Sequence, residues 1–435
     1  MVILKTEQND WSGIINWKPE WARLVTFRDN YKLPIHRWYP YIKGFSAVLV
    51  QKLIKEFNLN FNSWILDPFC GCGTTLLEAK NQGINSTGID FLDLPVFISK
   101  VKTNSFPNVN LIKENMDWLL ERSVEISPNI DRLKKLQNWA VLEKAFPGQR
   151  LMDLMSLVEA LDEINDPILH DILKLALLRV INDVSEAVKD GMGIRWRVDD
   201  KFAPVKISDV KSDYKNVIEM IIHDLNSKTK LDDFINQKIN HEPIVKVMKG
   251  DSRNLDVLDS EFDAVITSPP YLNKQDYAHI YKLESFIVGW YINFNDYTKS
   301  KNDAFRSNVE AKHESRYNVE HSTLEELQEH YVTFGVNNPK IPEMVQGYFD
   351  DFAEIFMSLS KVMKKGSKTA IVANTTSFSG KIIPVDFLLA DISVKFDFTP
   401  IEIRIVRNKN ISAQQIGKYG KENKNYEYIL FLDKN

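Results

Sequence analysis

The sequence predicts an α/β protein: a doubly wound, mostly parallel sheet with a terminal antiparallel hairpin and a helical insertion. Three observations predict it. The stretch SWILDPFCGCGTTLLEAKNQGINSTGID reads as a short apolar strand, a glycine turn, a helix and a second strand, the opening unit of such a sheet. After a long helical stretch the strand pattern resumes, in IVKVMKGDSRNL and then FDAVITSPPYLN. The last third places an amphipathic helix before SKTAIVAN and two further strand patterns, FDFTPIEIRIV and NYEYILFLD.

Length and composition bound the answer. The chain has 435 residues, enough for one large elaborated domain or two to three ordinary ones at roughly 100 to 200 residues each. Apolar content of 44% with 26% charged residues is ordinary for a globular protein. No apolar run approaches the ~20 residues that span a bilayer, and MVILKTEQND lacks a secretory pattern. A cytoplasmic protein without membrane contact is expected. The net charge of −4 offers no global attraction to a polyanion, so any nucleic-acid binding would need a local basic surface. The two cysteines, Cys70 and Cys72, are one residue apart. That spacing suits neither a disulfide nor a zinc site and leaves two small buried thiols.

In chain order, residues 1–34 carry Trp11, Trp17 and Trp21 without clean periodicity and read as an irregular arm packed on something larger. Residues 35–111 form the first part of the sheet domain. There Ser46 caps a helix whose apolar positions are Val48, Leu49, Leu53, Ile54 and Phe57. Just before it, Trp38, Tyr39, Tyr41 and Phe45 are core or pocket wall. Asp67 ends the first strand, Gly71 and Gly73 shape the turn, and a helix runs from Thr74 to about Gln82. Asp90 ends the second strand, about 20 residues after Gly71, the spacing of a nucleotide-binding unit. The glycine pair lacks the third glycine of the dinucleotide fingerprint.

Residues 112–243 read as a helical insertion, with long helical patterns on either side of Pro167, and as a candidate DNA-recognition subdomain. Within it Arg195, Trp196 and Arg197 put two cations around an indole, a trio suited to phosphates, guanine edges and stacking. Residues 244–435 return to the sheet, where Asp251 and Ser252 end the next strand. A helix is expected over roughly 277–291. A polar insertion at about 296–342 follows, with Arg306 and Arg316 among its basic residues, and is too long for an ordinary connector. The final two strands should pair as an antiparallel hairpin on the sheet edge.

The corner Thr267-Ser268-Pro269-Pro270-Tyr271 is built for gripping. Its prolines fix two backbone dihedrals and remove two amide donors, and the residue before each is pushed out of the helical region. The result is a stiff extended turn whose carbonyls can accept hydrogen bonds. A hydroxyl and a flat ring stand beside them. Asp67, Asp90 and Asp251 at three strand ends line one rim of a parallel sheet, where a nucleoside-containing ligand would bind.

Together DPFCGCGTT at 67–75 and TSPPY at 267–271 resemble the two signature motifs of DNA methyltransferases that act on exocyclic amino groups, the N4-cytosine and N6-adenine class. HRWYPYIKGFSAVLV, STGID, KGDSRNL and the terminal hairpin are similar to further elements of that family. The helical insertion and the polar stretch after Tyr291 lie outside the resemblance.

The resemblance implies a Rossmann-like methyltransferase of a restriction-modification system, with S-adenosylmethionine as cofactor and double-stranded DNA as partner. In that setting a cognate restriction endonuclease acting on the same site is a further expected partner. By the same resemblance Asp67, Phe69, Gly71, Gly73 and Thr74 surround the methionine half, with Phe45 and Ser46 on the other side. Asp90 takes the ribose hydroxyls, and Asp251 with Ser252 the adenine. Ser268 and the Pro269 carbonyl, in a corner completed by Pro270, accept from the target amino group, and Tyr271 stacks on the extruded base. The Ser-Pro-Pro-Tyr form is more usual for cytosine N4. The alternatives are an adenine N6 enzyme, an RNA guanine-N2 methyltransferase, or a binding protein that keeps the fold without catalysis. Arg195, Trp196, Arg197, Arg306 and Arg316 are the expected DNA contacts.

Overall fold

The computed structural model describes residues 1–136, 139–190, 193–197, 209–236, 242–259, 261–272, 276–409 and 425–435. Eight strands form the central sheet: β1 (Ile15–Trp17), β2 (Trp64–Asp67), β3 (Asn85–Asp90), β4 (Val245–Lys249), β5 (Phe262–Thr267), β6 (Met363–Asn374), β7 (Phe398–Lys409) and β8 (Asn425–Lys434). Their order is β1-β7-β8-β6-β5-β2-β3-β4. Pairing is parallel from β6 through β5, β2 and β3 to β4, whereas β8 is antiparallel to both neighbours. This is a doubly wound, Rossmann-like sheet. Its order reverses between β2 and β5, and such a reversal opens a crevice at the carboxyl ends of the strands.

Both faces are covered, so the inner strands are buried on both sides, with Ile65 and Leu66 of β2 and Ala264, Val265 and Ile266 of β5 apolar in succession and Ser86 and Thr87 filling the same layer in β3. On one face Ile65, Ile266, Ala370 and Val372 pack with Leu49 and Leu53 of helix α1 (Ala47–Glu56). On the other, Leu66, Val265 and Ile371 meet Phe349, Phe352 and Phe356 of the helix Ile341–Val362. A third cluster joins Leu77 of helix α2 (Thr74–Asn81) and Ile98 of helix α3 (Asp93–Thr103) to the helices Arg150–Leu161, Pro167–Val184 and Val210–Asn236. The expected helices are therefore present, and they share one continuous core with the flank of the sheet. Pro167 starts the second of them at its first position, with Asp166 capping the Ile168 and Leu169 amides.

Several expectations change. The helix expected over 277–291 is two short ones, Tyr277–Ile280 and Lys282–Ile287. The break falls at Tyr281, which stacks on Tyr41 and accepts a hydrogen bond from the Ile42 amide. The polar insertion is ordered into a helix Phe294–Asn302 with a capping box, a strand Tyr317–Glu320 and a helix Ser322–Phe334.

The terminal hairpin is not the sheet edge. Strand β1, from the arm, pairs in parallel with β7 outside it. The arm also adds Val2–Lys5 beside Tyr317–Glu320, and the Asn9 amide and Trp11 indole both donate to Asp391. The helix before β6 ends at Val362, and Lys364, Lys365 and Gly366 lie within the strand. Gly366, at φ +77°, sits at the register irregularity early in β6, a backbone conformation that favours glycine. Most of the basic loop between the last two strands, residues 410–424, lies outside the described residues.

Ser46 is fully buried, and its hydroxyl accepts from the Leu49 amide at 3.2 Å. It serves as the expected N-cap, while Val48 faces solvent. Replacing Ser46 with Ala should lower the unfolding free energy by ~1 kcal/mol in a denaturant titration, the usual worth of a cap.

Candidate active site

The crevice at the β2/β5 reversal is a cavity whose walls come from every strand end around it. From β2 and its loop come Asp67, Phe69, Gly71 and Thr74; from β3, Asp90, Phe91 and Leu92; from the β4 exit, Asp251, Ser252 and Arg253. Ser268 and Pro270 follow β5, and Tyr41 and Phe45 precede α1. Tyr277 and the segment Phe305, Ser307 and Asn308 add to the wall from later in the chain.

Asp67 is nearly inaccessible, at 1% exposure. Its Oδ1 accepts from the Thr267 hydroxyl at 2.7 Å and the Phe69 amide at 3.2 Å. Burial raises its pKa to about 6; hydrogen bonds from Thr75, Thr267 and Phe69 oppose that rise. Asp90 accepts from the Gly71 amide at 3.0 Å through Oδ2 and the Leu92 amide at 3.1 Å through Oδ1. Burial again raises it to about 6, against those same amide bonds. The end of β3 is thereby tied to the glycine turn after β2.

That turn needs its glycines. Gly71 has φ +52°, and a Cβ there would come to 3.0 Å of the Tyr41 ring. Gly73 has φ +78°, and its Cβ would meet the Ser99 hydroxyl at 2.9 Å. Gly73 is also the N-cap of α2 and offers no capping side chain, so the first amides of that helix retain their donor capacity. The neighbouring thiols of Cys70 and Cys72 are buried, and burial pushes both pKa values up. Neither is poised as a thiolate.

At the β4 exit, the Ser252 hydroxyl donates to the Pro68 carbonyl and Asp251 is gripped by the Arg253 guanidinium. In the proline corner, Tyr348 donates to the Pro270 carbonyl at 3.2 Å. No hydrogen bond to the Pro269 carbonyl is formed among the described residues. Tyr271 is buried. Burial, then the nearby Glu427 charge, pushes its phenol's pKa up, and the nearby Ser268 hydroxyl pulls it down in part. The Lys409 ammonium lies 5.0 Å from the centre of the Tyr271 ring.

Of the residues expected around a cofactor, Phe45, Asp67, Phe69, Gly71, Thr74, Asp90, Asp251 and Ser252 converge on the cavity. Ser46 and Gly73 stand behind its wall as a helix cap and a turn. In the corner, Ser268 and Pro270 reach the cavity whereas Pro269 and Tyr271 do not line it.

The expected DNA contacts divide. Arg195 is exposed on the short hairpin of Ala187–Asp190 and Gly193–Trp196, Lys144 lies 4.4 Å from the Trp196 ring centre, and Arg197 donates to the Ser185 carbonyl. Arg316 is largely exposed, 3.8 Å from Glu354. Arg306 is corrected: its guanidinium turns inward onto Asp351, at 2.7 and 3.0 Å, against the backbone of Gly347. A buried carboxylate occupies the donors that a phosphate would need.

Sequence reasoning missed Phe91, Leu92, Arg253, Tyr277 and the 305–308 segment. Phe91 directly follows the strand-end acid, a usable signal. The 305–308 wall comes from the polar insertion, and nothing in its pattern points at the cavity.

Comparison with known proteins adds independent support. The N6/N4 DNA methylase family model matches residues 17–93. The type II methyltransferase M.BsoBI of Geobacillus stearothermophilus is 32% identical over 443 aligned residues, covering 92% of this chain and 86% of that protein. M.AvaI of Nostoc sp. is 27% identical over 431, with the same coverage of 92% and 86%. M.MjaII of Methanocaldococcus jannaschii is 23% identical over 367, covering 65% of this chain and 68% of that protein. The likeness to M.BsoBI covers nearly the whole chain, and with it the chain belongs to the family of DNA methyltransferases that act on exocyclic amino groups, cytosine N4 or adenine N6.

Proposed function

We propose that this protein methylates the N4 amino group of a cytosine flipped out of double-stranded DNA, using S-adenosylmethionine bound in the cavity. The observation that carries the reading is the convergence of Ser268 with Asp67 and Asp90 on one crevice at the β2/β5 reversal. The residues present fit the cofactor. Two carboxylates with pKa values near 6 are mostly ionised at neutral pH, which suits a ligand bearing cationic groups. Phe45, Phe69, Phe91 and Phe305 give flat apolar surface for an adenine and a thioether chain.

When bound, the cofactor supplies an activated methyl group on a positively charged sulfur. Asp67, Phe69, Gly71 and Thr74, with Phe45 opposite, hold its methionine half, and the uncapped start of α2 offers amide donors to the carboxylate. Ser46 and Gly73 contribute by fixing α1 and the turn. Asp90 accepts from the ribose hydroxyls. Asp251 borders the adenine, and Ser252 steadies that border through Pro68.

An aromatic amine is a weak nucleophile because its lone pair is delocalised into the ring. Ser268 Oγ and the Pro269 carbonyl accept hydrogen bonds from its two hydrogens and localise density on nitrogen. Their acceleration is positional and electrostatic. The Pro270 carbonyl is held by Tyr348, which keeps the corner rigid. The base leaves the duplex to reach it, as in other base-modifying enzymes. The base then stacks on Tyr271, a buried ring that has to be uncovered for this, with a stacking gain of about 1 to 3 kcal/mol.

Serine rather than an acid or amide at position 268 supports cytosine N4 over adenine N6. The Arg195-Trp196-Arg197 hairpin and Arg316 are the DNA contacts of the proposal. Relatives named as type II methyltransferases support a role beside a restriction endonuclease with the same target site.

Ser268→Ala should lower the single-turnover methylation rate by about 10²-fold, the order of losing one oriented hydrogen-bonding group, with calorimetric cofactor affinity unchanged; an unaltered rate overturns the assignment. Cofactor affinity should fall as pH drops from 7.5 through about 6, because Asp67 and Asp90 take up protons there and lose the charge that binds a cation. Asp90→Asn should weaken binding about tenfold, the worth of a charged hydrogen bond, and flatten that titration. Hydrolysis of methylated DNA to nucleosides followed by mass analysis should give N4-methylcytosine; N6-methyladenine would move the target to the other base.

A further inference from the structure

Around Asp251 lies a buried charge cluster that the reaction as proposed does not use. Arg253 binds both Asp251 oxygens, through Nε at 2.9 and 3.0 Å and Nη2 at 2.6 Å, and its amide adds a bond at 3.0 Å. The same guanidinium reaches away from the cavity. Its Nη2 donates to the Asp303 carbonyl at 2.7 Å, and its Nη1 contacts His313 Nε2 and lies 3.6 Å from Asp351. Asp351 is fully buried on the helix Ile341–Val362 and also binds the Arg306 amide, the Arg306 guanidinium and His313. Charge-assisted bonds from those partners keep its pKa below the usual carboxylate range despite burial.

The segment between Asp303 and His313 supplies Phe305, Ser307 and Asn308 to the cavity. Arg253 therefore touches both ends of a wall whose middle faces the cofactor. Ser358 fixes the carbonyl of Arg253 at 2.7 Å, so the backbone under the guanidinium is anchored too. A guanidinium with five donors in a rigid fork can serve several acceptors at once; an ammonium cannot reproduce that geometry.

We propose that Arg253 is a positioning residue for cofactor binding: it orients the Asp251 carboxylate at the cavity rim and joins that acid to the 303–313 wall. The proposal rests on the reading of Asp251 as a cofactor contact. Through this one side chain the polar insertion sets the affinity of a site whose recognisable motifs lie elsewhere in the chain. Arg306 does the complementary task, fastening the wall to Asp351 without touching Asp251.

A double-mutant cycle tests it on the full-length protein, with S-adenosylhomocysteine affinity read by calorimetry and KM and kcat by methyl transfer to DNA. Asp251→Asn should weaken the ligand about tenfold, and if it leaves affinity unchanged, the reading of Asp251 itself fails. Arg253→Gln should also weaken the ligand about tenfold, the order expected for a charged hydrogen bond, raising the cofactor KM while kcat at saturation stays within about twofold. In the Asp251→Asn background the Arg253→Gln change should cost clearly less than in the parent, because the share that acts through that carboxylate is already lost and only the tie to the wall remains. Arg253→Lys should recover part of the affinity, and it stands in for the glutamine variant if that chain does not fold. Equal losses from Arg253→Gln in both backgrounds, or a fall in kcat at unchanged affinity, would overturn the proposal while leaving the Asp251 role standing.

Discussion

The site depends on a single hydrogen bond between two adjacent parallel strands. Thr267 Oγ1 donates to Asp67 Oδ1 at 2.7 Å, and both side chains are almost wholly removed from water. Asp67 ends β2 and Thr267 ends β5, so the bond joins the glycine turn to the proline corner at the place where the strand order reverses. A buried carboxylate without partners is costly, and one that is satisfied by a hydroxyl and an amide holds its surroundings in register. The Asp90 bond to the Gly71 amide extends the same logic to β3. Three strand ends are thus fixed relative to one another before any ligand enters.

The strand-end acids and the glycine turn were legible because their signals are local. A short apolar run, a glycine pair and a terminal acid mean the same thing wherever the surrounding chain goes. The cap at Ser46 and the helices flanking Pro167 were legible for the same reason. Distance was the obstacle elsewhere. Phe305 reaches Phe69 across a ring-centre separation of 5.7 Å, from a polar insertion with no pattern that names its neighbour. Arg306 read as a cation for phosphate, and only the tertiary placement of Asp351 shows the acid it serves. Strand β1 was hidden because three residues carry too little periodicity to register, and their pairing with β7 is set by the far end of the chain.

The helical layer illustrates how insertions become integral. Its apolar faces do not close on themselves; they continue into Leu77 and Ile98 on the flank of the sheet. Arg37 and Trp38, just ahead of α1, donate to the buried Asp224 of the helix Val210–Asn236. Tyr41 in the cavity wall stacks on Tyr281, and the Lys189 ammonium lies 4.7 Å from the Tyr281 ring centre. Lys189 belongs to the hairpin that carries Arg195. The hairpin proposed to contact DNA and the crevice proposed to hold the cofactor are therefore parts of one packed unit.

The pairing of β1 with β7 has a consequence for biosynthesis. Ile15, Asn16 and Trp17 lie opposite Ile403, Arg404 and Ile405, and Asn9 and Trp11 wait for Asp391. In synthesis residues 15–17 are made long before residues 403–405, so this pairing waits for β7 to be added. Through most of that interval the edge of the sheet and the arm that will cover it do not coexist. A pairing between residues so far apart in the chain raises contact order, and such contacts slow folding because a large loop must close before they form.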